Sequence, residues 1–328
     1  MNVQRNRRLW ACLASMTLIG WTPADDAQVG TAAPAAPATK GAFFGLAPPS
    51  DTPKPFAPEL LAAVSPFVEA TAFSPGGNAF FLSVGTADYS QAKLYVTEWV
   101  DGAWTPFVEP SFTAGFTYSH EPVFLPGGST LIFTGKHTTA TTDLWAVTRT
   151  ERGWSEPSRL PAPINGDADE FRGCPALDRT FYFGSNRSGM LQVYRASAFG
   201  TPTPRVELVG PPIDVEAFDG DPCVAPDGRF LLFYSGRSGT SADLYVSFRT
   251  EQGAWGEPLD LGPDFNTAAD EYGAHLSSDG KHLFFTRHTT QGNTILWVLT
   301  SAIDALKPKA KASSVGPDTG DRERESGT

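Results

Sequence analysis

The chain is short of positive charge. Its 25 Lys and Arg face 36 Asp and Glu, for a formal charge of −11 over 328 residues. A balance that acidic makes nucleic acid or an anionic lipid surface a poor partner. Beyond the first twenty-four residues no segment is apolar enough to span a bilayer. Known catalytic signatures are missing too. There is no GxSxG elbow, no HExxH and no phosphate-cradling Gly-rich loop ahead of a helix. Histidine is scarce, at five, and no spacing assembles a Ser–His–Asp set, so nucleophilic catalysis finds no support. No 3.6-residue period runs through the body, which excludes helical repeats. Cysteine is rare, at three.

The ends read separately from the body. Arg5, Arg7 and Arg8 form a basic region ahead of the short apolar run "LWACLASMTLIGW", and "TPA" supplies small residues near a cleavage point. Residues 1–24 are therefore expected to be a signal peptide, and the mature protein periplasmic or secreted. Cys12 lies within the apolar run, where bulky Trp10 argues against lipid attachment. Cleavage takes the formal charge to −14 and leaves Cys174 and Cys223, for which a disulfide is permitted but not required. Residues 25–41, rich in Ala, Pro and Thr, read as a disordered linker, and 309–328 as a disordered tail.

Between them the chain repeats at about fifty residues. "FSPGGNAFFLSV", "FLPGGSTLIFTG", "ALDRTFYFGSNRSG", "APDGRFLLFYSGRSG" and "SSDGKHLFFTRHTTQG" open five similar units, and Arg187, Arg237 and Arg287 fall fifty apart. The runs are short, aromatic or β-branched, bounded by turns, and apolar on both faces, so they are strands covered on both sides. Four antiparallel strands per unit, packed radially, make a propeller. Unit five ends without a Trp-x-Glu-Pro strand, and "PFAPELL" (55–61) aligns with "WSEPSRL" and "WGEPLDL". The expected fold is all-β: a five-bladed β-propeller over 42–308, closed by an N-terminal strand that completes the last blade and hides two sheet edges.

"SPGG", "APDG" or "SSDG" before an "LFF"-type strand, then "SNRSG", "DLYV" and "WGEP", resembles the TolB-like WD-type β-propeller repeat of exported bacterial proteins. The resemblance covers about 56–308. It is to the propeller and not to the additional N-terminal domain of TolB, so a family member other than TolB itself is expected. It implies a binding platform, an assembly factor or, occasionally, an enzyme. Unit three departs: "ALDRT" lacks the turn Pro and Gly, and "GTPTPRVELVG" lacks the outer Trp.

Two sets of residues could carry chemistry. The approach to each inner strand is acidic. Glu170, Asp219 and Glu271 are equivalent, as are Asn165, Asp214 and Asn266; His120 and Glu121 belong to unit two, and Glu121 aligns with Asp221 and Arg172. Converging at one mouth of the channel, these acids would raise one another's pKa or hold a cation. The plainer reading is that each caps its own turn. Secondly, Cys174, Cys223 and His275 share one register, a donor set suited to zinc or copper if close enough, and otherwise buried thiols or a disulfide. The hairpin residues Lys136, Arg187, Arg237 and Arg287 read as structural ion-pair partners of Asp143 and Asp243, and Trp104, Trp154 and Trp255 as core.

The reading is a monomeric, non-enzymatic binding module. His120, Glu121, Glu170, Arg172, Asp219, Asp221, Glu271 and His275 present an acidic channel mouth to a peptide, protein or saccharide ligand. The alternative is a hydrolase or lyase acting on a saccharide or small substrate in the same funnel, possible with two suitably spaced acids and metal assistance. No cofactor is named by the sequence.

Overall fold

A computed structural model describes residues 42–308 apart from 216. The expected signal peptide, linker and tail lie outside these residues. The described chain forms five antiparallel sheets in sequence order. Blade I is Val68–Phe73, Ala79–Gly85, Ala92–Val100 and Ala103–Trp104; blade II is Tyr118–Phe124, Thr130–Lys136, Asp143–Thr150 and Ser158–Arg159. Blade III is Glu170–Pro175, Phe181–Ser185, Gln192–Ser197 and Arg205–Leu208; blade IV is Asp219–Val224, Phe230–Ser235, Asp243–Phe248 and Leu259–Asp260. Blade V is Asp270–Leu276, His282–Thr289 and Gly292–Leu299, finished by Lys54–Pro55 from the other end of the chain. The protein is a five-bladed β-propeller.

The two-faced apolar runs are the second strands. Phe80, Phe81, Leu131, Phe133, Phe181, Phe183, Leu231, Phe233, Leu283 and Phe285 are all buried, because each sheet packs on a neighbour at both faces. Trp104 and Trp255 are buried in these inter-blade layers and Trp154 packs against one of them, as core residues should. Unit three keeps the backbone of the others despite its altered turn. Arg179 adopts φ 66°, where Gly128, Gly228 and Gly280 adopt 75°, 73° and 69°.

Closure occurs where expected, with one difference. Lys54 pairs with Trp297 and Pro55 with Leu296, and Phe56 N donates to Ile295 O at 2.8 Å. "PELL" does not continue this strand. Pro58 starts the helix Pro58–Val64, its fixed φ suiting a first helical turn, and Leu61 and Val64 turn inward. Phe56 seals the seam among Phe73, Phe80, Phe284 and Trp297. Among the described residues no helix is long and apolar enough to cross a membrane.

Candidate functional site

Four inner strands carry a bulge at one register, between His120 and Val123, Phe171 and Cys174, Gly220 and Cys223, and Tyr272 and His275. The residue at the bulge has a left-handed backbone: Glu121 at φ 52°, Arg172 at 38°, Asp221 at 47° and Gly273 at 69°. Three non-glycine residues held there store strain, which concentrates at working sites. The bulges also let these residues reach other blades. Arg172 N donates to Glu121 Oε2 at 2.8 Å, and Gly273 N to Asp221 Oδ2 at 3.0 Å. Arg172 Nη2 crosses from blade III to blade V, donating to Gly273 O at 3.0 Å and Ala274 O at 3.3 Å.

A buried charged chain runs through this ring. His120 Nε2 lies 2.7 Å from Glu69 Oε2, and Nδ1 3.6 Å from Glu121 Oε1. Burial works against the imidazolium, but the two carboxylates outweigh it and hold the His120 pKa up at about 10. Burial likewise opposes the Glu121 carboxylate, yet His120, Arg172 and Thr134 bring it down to about 2. Asp221 goes the other way, to about 7, raised by burial and by the nearby Glu121. His275 is pushed down to about 3 by burial and then by Arg172, so it is neutral. Its Nδ1 donates to Gly273 O at 3.2 Å, leaving Nε2 to accept from Thr71 Oγ1 at 3.3 Å. Glu69 and Thr71 carry no repeat signal and escaped the sequence reading.

Glu170, Asp219 and Glu271 stand apart from this chain. Each is fully buried and paired with the hairpin arginine of its own blade: Arg187 at 2.9 Å, Arg237 at 3.0 Å and Arg287 at 2.7 Å. Each also accepts a turn N–H four residues back, from Gly166, Val215 and Thr267. Glu170 and Asp219 are raised, with burial as the cause rather than a neighbouring acid. The ion-pair expectation for the arginines is right in kind but wrong in partner. Asp143 pairs with Arg159 at 2.6 Å, and Asp243 accepts from Ser241 Oγ at 2.8 Å. Arg187 and Arg237 are also stacked over aromatic rings, so they are fixed struts.

The described cavity opens at the other end of the inner strands, where they turn into the second strands. Its volume is about 200 Å³, and every blade contributes. Pro75, Val123, Pro126, Val224, Pro226 and Leu276 are among its apolar walls, Phe43 and Phe284 add rings, and Arg172 and His275 are its polar lining with Ser277 and Ser278. Sequence reasoning took Pro75, Pro126 and Pro226 only as turn signals. Their recurrence at one register, with Pro122 and Pro222 within the strands, was the available clue. Cys174 and Cys223 also line the cavity, buried and not joined. The Cys223 thiol hydrogen-bonds Cys174, holding Cys174 below the usual thiol range and Cys223 well above it. Among the described residues no three His, Cys, Asp or Glu side chains stand where they could share a metal ion.

No family model matches the chain, and no curated protein matches it by sequence. Solved structures do. TolB from Acinetobacter baumannii is 15% identical, with a TM-score of 0.45 over 71% of this chain and 57% of that one. A putative TolB from Agrobacterium tumefaciens is 18% identical, with a TM-score of 0.46 over 68% and 71%. A puromycin hydrolase is 12% identical, with a TM-score of 0.40 over 68% of this chain and 34% of that one. This chain thus spans little more than half of the first of these proteins and a third of the last. Similarity at this level is one of fold and assigns neither family nor activity.

Proposed function

We propose that the chain is an exported, non-catalytic propeller module whose ligand sits in the cavity at the turn end of the channel. The observation that supports this is the cavity itself: a concave space at the axis, apolar in its walls, with a few convergent polar groups. An apolar side chain of a peptide or protein suits walls of proline, valine, leucine and phenylalanine better than a saccharide does. Within this reading His120, Glu121 and Asp221 hold Arg172 and His275 at the cavity's inner end. Glu170, Asp219 and Glu271 stiffen the opposite mouth.

The enzyme alternative has one supporting observation. Glu121 and Asp221 have pKa values driven apart, to about 2 and about 7, the kind of split that separates a base from an acid. Neither side chain lines the cavity, which favours binding over catalysis. The test uses a neutral probe, N-acetyl-phenylalaninamide, against wild type and Val123→Trp. Val123 is half-buried at the cavity wall, so an indole there fills the space. Saturable binding by wild type, lost in a Val123→Trp protein with an unchanged melt, is the expected result. Equal binding by both moves the ligand elsewhere.

A further inference from the structure

Of the described residues lining the cavity, one side chain carries a charge, Arg172, and none is Asp or Glu. In a chain with 36 acidic residues that composition is specific. Arg172 is 5% exposed. Its backbone N is fixed by Glu121 Oε2 at 2.8 Å and Thr134 Oγ1 at 3.1 Å, and Nη2 is fixed by the Gly273 and Ala274 carbonyls. Nη1 is buried with no hydrogen-bond partner among the described residues. A buried guanidinium donor left open is unfavourable and calls for an acceptor, best an anionic one.

We propose that the cavity takes a ligand whose apolar body carries one carboxylate, held by the Arg172 guanidinium. The inference rests on the cavity being the binding seat. Size agrees: an apolar cavity of roughly 150 Å³ can hold a benzene ring, so about 200 Å³ admits a ring or branched chain with its carboxylate. The one His120 proton does not offset both Glu69 and Glu121, so these three groups carry a net negative charge that Arg172 balances. Of the group only the guanidinium belongs to the cavity lining, and Asp221, half neutralised near pH 7, stands outside it. His275, neutral and held by Thr71 and Gly273, adds no competing anion.

Calorimetry with phenylacetate and phenylacetamide tests this on the whole protein. The acid is expected to bind at least about tenfold tighter than the amide, and Arg172→Met to erase the difference. In wild type, the Arg172 side-chain nitrogen resonance is expected to move with the acid and stay with the amide, a readout that does not need the variant to fold. A tripeptide ending in Phe, with free or amidated C-terminus, separates the sources. Tighter binding of the free tripeptide than of phenylacetate identifies a peptide terminus, and weaker binding a small organic acid. Equal affinity for acid and amide overturns the carboxylate inference while leaving the apolar seat in place. No binding of either overturns both.

Discussion

His120 is the residue on which the buried chain depends. Protonated, it lets the carboxylates of Glu69 and Glu121 share one small volume. Gly85 leaves the room, since a Cβ there would stand 2.1 Å from Glu69 Oε1. His120→Gln strands two buried carboxylates together and should cost about 3–5 kcal/mol of stability, read from denaturant melts at pH 6. The pH dependence has a definite sign. The folded pKa of about 10 lies above the ordinary 6.5, so the contribution of His120 is complete below pH 6.5 and disappears as pH climbs toward 10. The gap between wild type and His120→Gln should therefore narrow in that window. A gap that stays constant across that window would mean His120 is neutral in the folded protein.

Blades are stitched by an element that recurs with one change of chemistry. Asn165 and Asn266 each clamp the third strand of the preceding blade, accepting from the N–H of Leu144 and Leu244 and donating to their carbonyls. Asp214 holds the same place, accepting from Val193 N at 2.7 Å and Gly210 N at 2.9 Å. Burial pushes its carboxyl up to about 7. A raised folded pKa means the native state keeps a proton that the unfolded chain has released, so stability falls as pH rises from about 4 to about 7. Asp214→Asn should remove that slope, gaining on wild type by roughly 2–3 kcal/mol between pH 5 and pH 8; parallel pH–Tm curves would refute it. The equivalence of positions 165, 214 and 266 was readable from the repeat interval, as were the strands, the turns and the closing segment. Partnerships were not. The spacing matches Arg237 to Asp243 at the start of the next strand, but antiparallel pairing sets Ser235 opposite Asp219 and brings Arg237 to that carboxylate. Strand period says which residues are buried. It does not say that a bulge will send Arg172 across the axis, nor that five turn segments will leave a cavity.

At the scale of the molecule, the ring is only as stable as its seam. Phe56, 1% exposed, touches aromatic rings of blades I and V. Phe56→Ala should cost about 3–5 kcal/mol, and deleting residues 42–61 should abolish cooperative unfolding by baring the edge of Gly292–Leu299. A soluble deletion variant that melts cooperatively would break the closure scheme. Ring closure also gathers five turn segments into one seat, and on that seat the functional account rests. The most direct test is an amide NMR shift map with N-acetyl-phenylalaninamide at saturation. The account predicts shifts concentrated at 123–125, 174, 224 and 276, the turn end of the channel. Shifts concentrated instead at 185–187, 235–237 and 286–287 would place the ligand at the opposite mouth and contradict it.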